Sequence, residues 1–192
     1  MVDPHLLVPA DVLWVLLPPY VASATATIPR GRGPSMDLGR TWPGDGRRVL
    51  GASKSWSGFL FGSFIAALVG FLEAWLILLA PPSLQIVPAY GPSVLAAAPV
   101  VLLLSVGAMS GDAVGSFLKR RLDLASGTRV VLLDQLPMVA VPILVGALLF
   151  PWVFVPTFFT LEALLWLLLF TLVLHTLFNW IGFKAGLKKV PW

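Results

Sequence analysis

The chain has 192 residues, is 58% hydrophobic and only 11% charged, and carries a formal net charge of +4. A soluble domain of this size needs roughly 25% charged residues to cover its surface, so an aqueous globular fold is excluded and lipid is the remaining solvent. With no cysteine, disulfides, thiolate metal sites and a cysteine nucleophile are excluded as well.

Crossing a hydrocarbon core takes about 20 apolar residues, and five stretches reach that length. The first runs from about Leu6 to Ile28 and is predicted to be amphipathic and broken at Pro18-Pro19. Met1 to Pro29 contain no Lys or Arg, so a cleaved signal peptide is not expected. The second span covers about Phe59 to Ala80, with Gly58, Gly62, Ala66 and Gly70 at four-residue spacing. One row of small residues predicts close helix packing. The third runs from about Val94 to Ala113, the fourth from Val131 to Phe150 and the fifth from Thr157 to Ile181. Pro99, Pro137 and Pro142 fall inside spans, where neighbouring helices can accommodate the kinks. The expectation is an all-α integral membrane protein, one domain over 1–192, with two cytoplasmic loops at about 29–58 and 114–131.

Charge orients the stack. All 13 basic residues lie in three segments: Arg30 to Lys54, Lys119 to Arg129, and Lys184 to Lys189. The intervening loops, Pro81 to Ser93 and Pro151 to Pro156, have none. The positive-inside rule therefore predicts the N-terminus outside and the C-terminus in the cytoplasm. The basic balance is read as facing anionic lipid or an anionic substrate rather than nucleic acid, and nothing in the sequence specifies an oligomer.

Ionisable residues inside spans mark function by default. Asp112, Asp134, His175 and Asn179 fall in one slab near the cytoplasmic face, at 1.5 Å of rise per residue. Glu73 and Glu162 belong nearer the outer face, where snorkelling to headgroups is the simpler account; Asp11 is ambiguous. Asp112, Ser116 and Lys119 share one helix face, with Arg120 adjoining. Gly107, Gly111 and Gly115 thin that segment, so a backbone or a phosphate can come close. Carboxylate, hydroxyl and cations in that order suit a metal held by Asp with phosphate oxygens bridging to Lys and Arg. A basic cluster for anionic headgroups is the alternative, but it has no use for a buried carboxylate. Asp134 adds a second carboxylate, which could share Mg²⁺ or pair with Arg129 or Arg120. His175 and Asn179 share a face, for phosphate, metal or an interhelical hydrogen bond.

The first basic loop, from Pro34 to Gly58, is rich in Gly, Asp and Arg. It is no P-loop, since Ser53 rather than Gly precedes Lys54 and no strand leads in. Its turns, amides and cations suit a polyphosphate.

The run Gly111-Asp112-Ala113-Val114-Gly115-Ser116-Phe117-Leu118-Lys119-Arg120-Arg121, followed by Leu133-Asp134-Gln135-Leu136, resembles the signature of CTP-dependent cytidylyltransferases of membrane lipids. The segments Asp45-Gly46-Arg47-Arg48-Val49-Leu50-Gly51 and Lys54-Ser55-Trp56-Ser57-Gly58, the pair His175 and Asn179, and the ending Gly186 to Trp192 are similar to its archaeal CDP-archaeol synthase branch. The bacterial phosphatidate cytidylyltransferases continue with a Gly-His-Gly-Gly and an Asp-Arg that this chain lacks. The resemblance implies CTP and 2,3-di-O-geranylgeranylglycerol 1-phosphate as substrates, a prenyl glycerol phosphate lipid taken from the bilayer, and CDP-lipid and pyrophosphate as products. It implies Mg²⁺ on Asp112 and Asp134, with Lys119 beside them as a catalytic cation. Asp37, Arg40, Asp45, Gly46, Arg47, Gly51, Lys54 and Ser55 would then receive CTP, Ser116 and Arg120 its phosphates, and His175 and Asn179 would close the site. A small transporter or a non-catalytic lipid-binding protein is the alternative. Transport sites lie at the midplane, whereas these polar residues lie at one edge. CDP-alcohol phosphotransferases need further Asp residues after an Asp-Gly pair, and Asp45-Gly46 lacks them.

Overall fold

The computed structural model describes residues 4–81, 85, 87–126, 128 and 130–186. Arg129, Lys188, Lys189 and the rest of the ending 187–192 lie outside the described residues, as does the side chain of Asn179. Among the described residues there is no strand, and six helices carry the fold: α1 (Pro4–Thr25), α2 (Trp56–Leu79), α3 (Val94–Arg121), α4 (Val131–Leu149), α5 (Pro151–Phe158) and α6 (Leu161–Lys184). All but α5 are long and apolar enough to span a membrane.

The boundaries correct the expectation in three places. Helix α3 runs on to Arg121, so the second basic loop is 122–130 rather than 114–131, and the first is 26–55. The outer connection beginning at Pro151 is itself a short helix. Its first residue is a proline, which needs no intrahelical N–H partner there. The fifth span consequently starts at Leu161, where Thr160 caps it by accepting from the Ala163 amide.

Helix α1 is the larger surprise. It is continuous through Pro9, Pro18 and Pro19 rather than broken. It is also not a peripheral amphipathic span: Val12, Val15, Leu16, Tyr20 and Ala22 are at most 1% exposed. The helix sits at the centre, touching α2, α3, α4, α5 and α6. Around it α2 meets α3, α3 meets α4, and α4 meets α6 directly and through α5. Lipid-buried neighbours tolerate prolines that would break a helix in water.

Small residues set the approach distances, as the four-residue row predicts. An added Cβ at Gly58 or Gly62 would lie 2.8 or 2.7 Å from the carbonyl oxygens of Ala26 and Ala22. At Gly70 it would meet Val101 of α3 at 2.9 Å. The α3–α4 contact is tighter: a Cβ at Gly111 would stand 2.0 Å from the Pro137 carbonyl oxygen, and at Gly115 2.3 Å from that of Leu133. Those glycines admit a neighbouring backbone, not a phosphate.

Of the intramembrane acids, Glu73 does not snorkel. It is buried in the bundle, and the Tyr90 hydroxyl, 2.9 Å away, donates to it. Glu162 occupies the first turn of α6, where the helix dipole favours a negative charge.

Candidate active site

The ends of α1, α2, α3, α4 and α6 nearest the basic loops surround a cavity of about 620 Å³. Lys54, Ser55, Asp112, Ser116, Lys119, Arg120, Asp134 and His175 all line it. Helix α3 delivers Asp112, Ser116, Lys119 and Arg120, while Lys54 and Ser55 come from the residues leading into α2, Asp134 from α4 and His175 from α6. Asp112 and Asp134 line the same cavity.

Each carboxylate is matched to a lysine from another segment. Lys54, just before α2, donates to Asp112 Oδ2 at 2.5 Å. Lys119, not Arg120, pairs with Asp134 among the described residues; Arg129 lies outside them. The second Asp134 oxygen accepts from the Val130 amide at 2.9 Å, which fixes that side chain at the start of α4. Ser55 is the N-cap of α2, accepting from the Gly58 amide at 3.2 Å, and that capping bond holds Lys54 at the cavity rim.

Arg120 is the exception. Its residue is only 9% exposed, Nη2 donates to the Ala125 carbonyl at 3.1 Å, and its buried Nε has no partner. No carboxylate pairs with it among the described residues. Counting the lining, Arg30, Lys54, Lys119 and Arg120 stand against Asp112 and Asp134. A buried guanidinium with no counter-charge is costly, and a cavity with cations in excess is built for an anion.

The rest of the first loop does something different. Asp37 is buried and organises the loop around itself. It takes a paired contact from Arg48 (2.5 and 3.2 Å) and the amides of Gly39, Leu50 and Gly51 at 3.0, 3.1 and 2.9 Å. Burial alone would raise its pKa, but the Arg48 guanidinium and three amides outweigh burial and hold the carboxyl well below the usual Asp range. Gly51 makes this possible at φ +101°, a conformation that favours glycine.

Asp45, Gly46 and Arg47 form the turn that docks the loop on the end of α3. Arg121 lies 3.1 Å from Asp45, donates to the Arg48 carbonyl at 2.8 Å, and stacks over Phe117 at 4.9 Å. Arg47 pairs with Asp123 at 3.1 Å. Arg40 is exposed. Asp37, Arg40, Asp45, Gly46, Arg47 and Gly51 are not among the cavity-lining residues; the structure gives the acids, Arg47 and Gly51 loop-building contacts. Sequence reasoning missed Ser23, Thr27, Arg30, Ser53 and Thr128, which do line it. Ser23 lies in the last turn of α1 and Thr27 and Arg30 in the turn that follows it, and only the central position of that helix brings them there.

An all-helical membrane protein with a polar cavity of paired carboxylates and excess cations at the ends of its spans defines an intramembrane enzyme acting on an anionic substrate. Residues 5–192 match the family model of CarS-like CDP-archaeol synthases. A CDP-archaeol synthase of Thermococcus gammatolerans is 41% identical over 180 residues, 94% of either chain. One from Pyrococcus furiosus is 40% identical, covering 95% of this chain and 97% of its own. A solved structure described as an intramembrane enzyme for archaeal membrane lipids biosynthesis superposes with a TM-score of 0.58 at 32% identity, over 82% of this chain and 88% of that one. The chain belongs to the CDP-archaeol synthase family of archaeal lipid biosynthesis, and is a CTP-dependent cytidylyltransferase.

Proposed function

We propose that the chain transfers CMP from CTP to 2,3-di-O-geranylgeranylglycerol 1-phosphate, forming unsaturated CDP-archaeol and pyrophosphate, with Mg²⁺ as cofactor and at the cytoplasmic face. The observation that carries this reading is Arg120, a buried guanidinium without a carboxylate, opening on a cavity that also holds Lys54 and Lys119 beside two Asp residues.

In the reaction a lipid phosphate oxygen attacks the α-phosphorus of CTP in line. The new P–O bond forms as the bond to the bridging oxygen breaks, and pyrophosphate leaves with that oxygen. The nucleophile is already an anion near neutral pH, so the site needs no general base; positioning and charge stabilisation carry the rate. Arg120 offers a rigid fork to phosphate oxygens, and the flexible ammonium groups of Lys54 and Lys119 can follow charge from the α-phosphate to the leaving group. Ser116, buried on the same face of α3, offers a hydroxyl donor.

The carboxylates suit Mg²⁺. No set of three or more His, Asp or Glu residues comes together among the described residues. That is compatible with Mg²⁺, which is held by one or two carboxylates plus water and phosphate rather than by a protein cage. Asp112 and Asp134 would hold it, and when bound it would supply charge neutralisation on the phosphates. The distribution of cations supports the cytoplasmic orientation: Arg30 to Lys54, Lys119 to Arg121 and Lys184 all belong to the cavity end.

Purified protein supplied with Mg²⁺, the diether phosphate and each of the four nucleoside triphosphates should release pyrophosphate with CTP and lose that activity with EDTA. Release that is equal with all four, or indifferent to EDTA, contradicts the nucleotide or the metal assignment respectively.

A further inference from the structure

The ring of helices around α1 is open at one place. Among the described residues α2 and α6 do not touch, although every other pair of neighbours around α1 does. The floor of that opening is visible in the burial of α1 itself. Between Val12 and Ala22, Leu13, Trp14, Leu17 and Val21 are the residues that are not buried. Leu13, Leu17 and Val21 recur every fourth residue and so form one stripe. Tyr20, on one side of the stripe, hydrogen-bonds Thr171 of α6 at 2.9 Å; Ala22, on the other, packs against Gly62 of α2. The stripe therefore faces the gap. On α2, helix periodicity sets Phe61 and Ile65 on the opposite side of Gly62 from Gly70, which meets Val101 of α3. The result is an apolar groove open to lipid.

The groove ends where the cavity begins. From Leu13 to the end of α1 at Thr25 the helix rises about 18 Å, slightly more than one leaflet of a core about 30 Å thick. The chain then turns through Ala26 to Gly31. Ile28 in that turn is 43% exposed, while Thr27, Arg30 and Gly31 line the cavity. Arg30 holds a left-handed φ of 54°, uncommon for a residue with a side chain, and Gly31 follows at 66°. Its guanidinium makes no ion pair or side-chain hydrogen bond among the described residues, unlike Lys54, Lys119, Arg47, Arg48 and Arg121.

We propose that the lipid acceptor enters along the α2–α6 groove, its isoprenoid chains lying on Leu13, Leu17 and Val21, and that Arg30 takes its phosphate monoester at the mouth of the cavity. This rests on the transferase reading above. The chemistry of the two parts is complementary: an apolar track, about one leaflet long, ends at a guanidinium that has no carboxylate partner among the described residues.

Two variants test it with purified enzyme in mixed micelles. Arg30→Gln should raise KM for the diether phosphate about tenfold while KM for CTP stays within about twofold, with Arg30→Lys recovering part of the loss. Val21→Trp, which fills the track, should raise KM for the full-length diether phosphate and leave a short-chain lipid phosphate unaffected. A rise in KM for CTP instead assigns Arg30 to the nucleotide and overturns the proposal; so do wild-type values for both variants. Wild-type enzyme that turns over no lipid phosphate refutes the transferase reading itself, a result distinct from either.

Discussion

The ammonium of Lys54 lies 2.5 Å from the carboxylate of Asp112, across a sequence separation of 58 residues. A loop cation and a helix acid are thus held against each other on the cavity wall, where a nucleotide phosphate and its counter-ion would compete for both. Lys54→Met should lower kcat/KM about 100-fold and Asp112→Asn about 1,000-fold, the scale of losing one charge aimed at a phosphoryl transition state. Both groups are about a quarter exposed, so detergent-solubilised thermal stability should change little. Steady-state kinetics with thermal melts check this; full activity in Asp112→Asn removes it from the site.

Gly111 predicts a packing effect of a different kind. An added methyl would stand 2.0 Å from the Pro137 carbonyl, inside any real contact distance. Gly111→Ala should therefore cost about 3 kcal/mol or more by forcing α3 and α4 apart. At Gly107 the nearest atom is the Pro142 side chain at 3.0 Å, so Gly107→Ala should cost less. Circular-dichroism melts of the two variants rank them; equal melting temperatures would contradict the packing.

Asp37 makes the pH dependence of the first loop predictable. Its folded pKa lies below the ordinary value. The stabilisation is therefore complete above an unfolded Asp pKa of about 3.9 and is lost as pH falls through the lower folded value. Amide hydrogen exchange at Gly39, Leu50 and Gly51, corrected for intrinsic rate, should show constant protection between about pH 8 and pH 5. Asp37→Asn should weaken it across that whole range, since a neutral amide cannot hold Arg48 and three amides as the carboxylate does. Protection in the wild type that declines already near neutral pH would contradict the arrangement.

Much of this was legible in the residues because lipid leaves few options. Spans of about 20 apolar residues and cations confined to one end follow from the bilayer itself. Helix periodicity then put Asp112, Ser116 and Lys119 on one face. Pro18-Pro19 misled, because the rule that prolines break helices assumes water, and here α1 is wrapped by five neighbours. Asp37 and Arg47 were not separable from ligand-binding residues by type alone. A carboxylate in a Gly-rich loop reads the same whether it meets a ligand or its own loop's amides, and only the folded loop, which turns Arg48 and three amides onto Asp37, decides. Arg30 was counted as loop charge for the same reason: nothing local says that a central helix ends beside the cavity.

The fate of the phosphorus atoms of CTP separates CMP transfer from every other use of the nucleotide. Enzyme, Mg²⁺ and diether phosphate should be incubated with CTP labelled at the α-phosphorus and, separately, at the γ-phosphorus, and the lipid extracted into organic solvent. Transfer of CMP moves the α label into the lipid phase and leaves the γ label in water as pyrophosphate. Label from the γ position in the lipid, or no label in lipid from either, would contradict it.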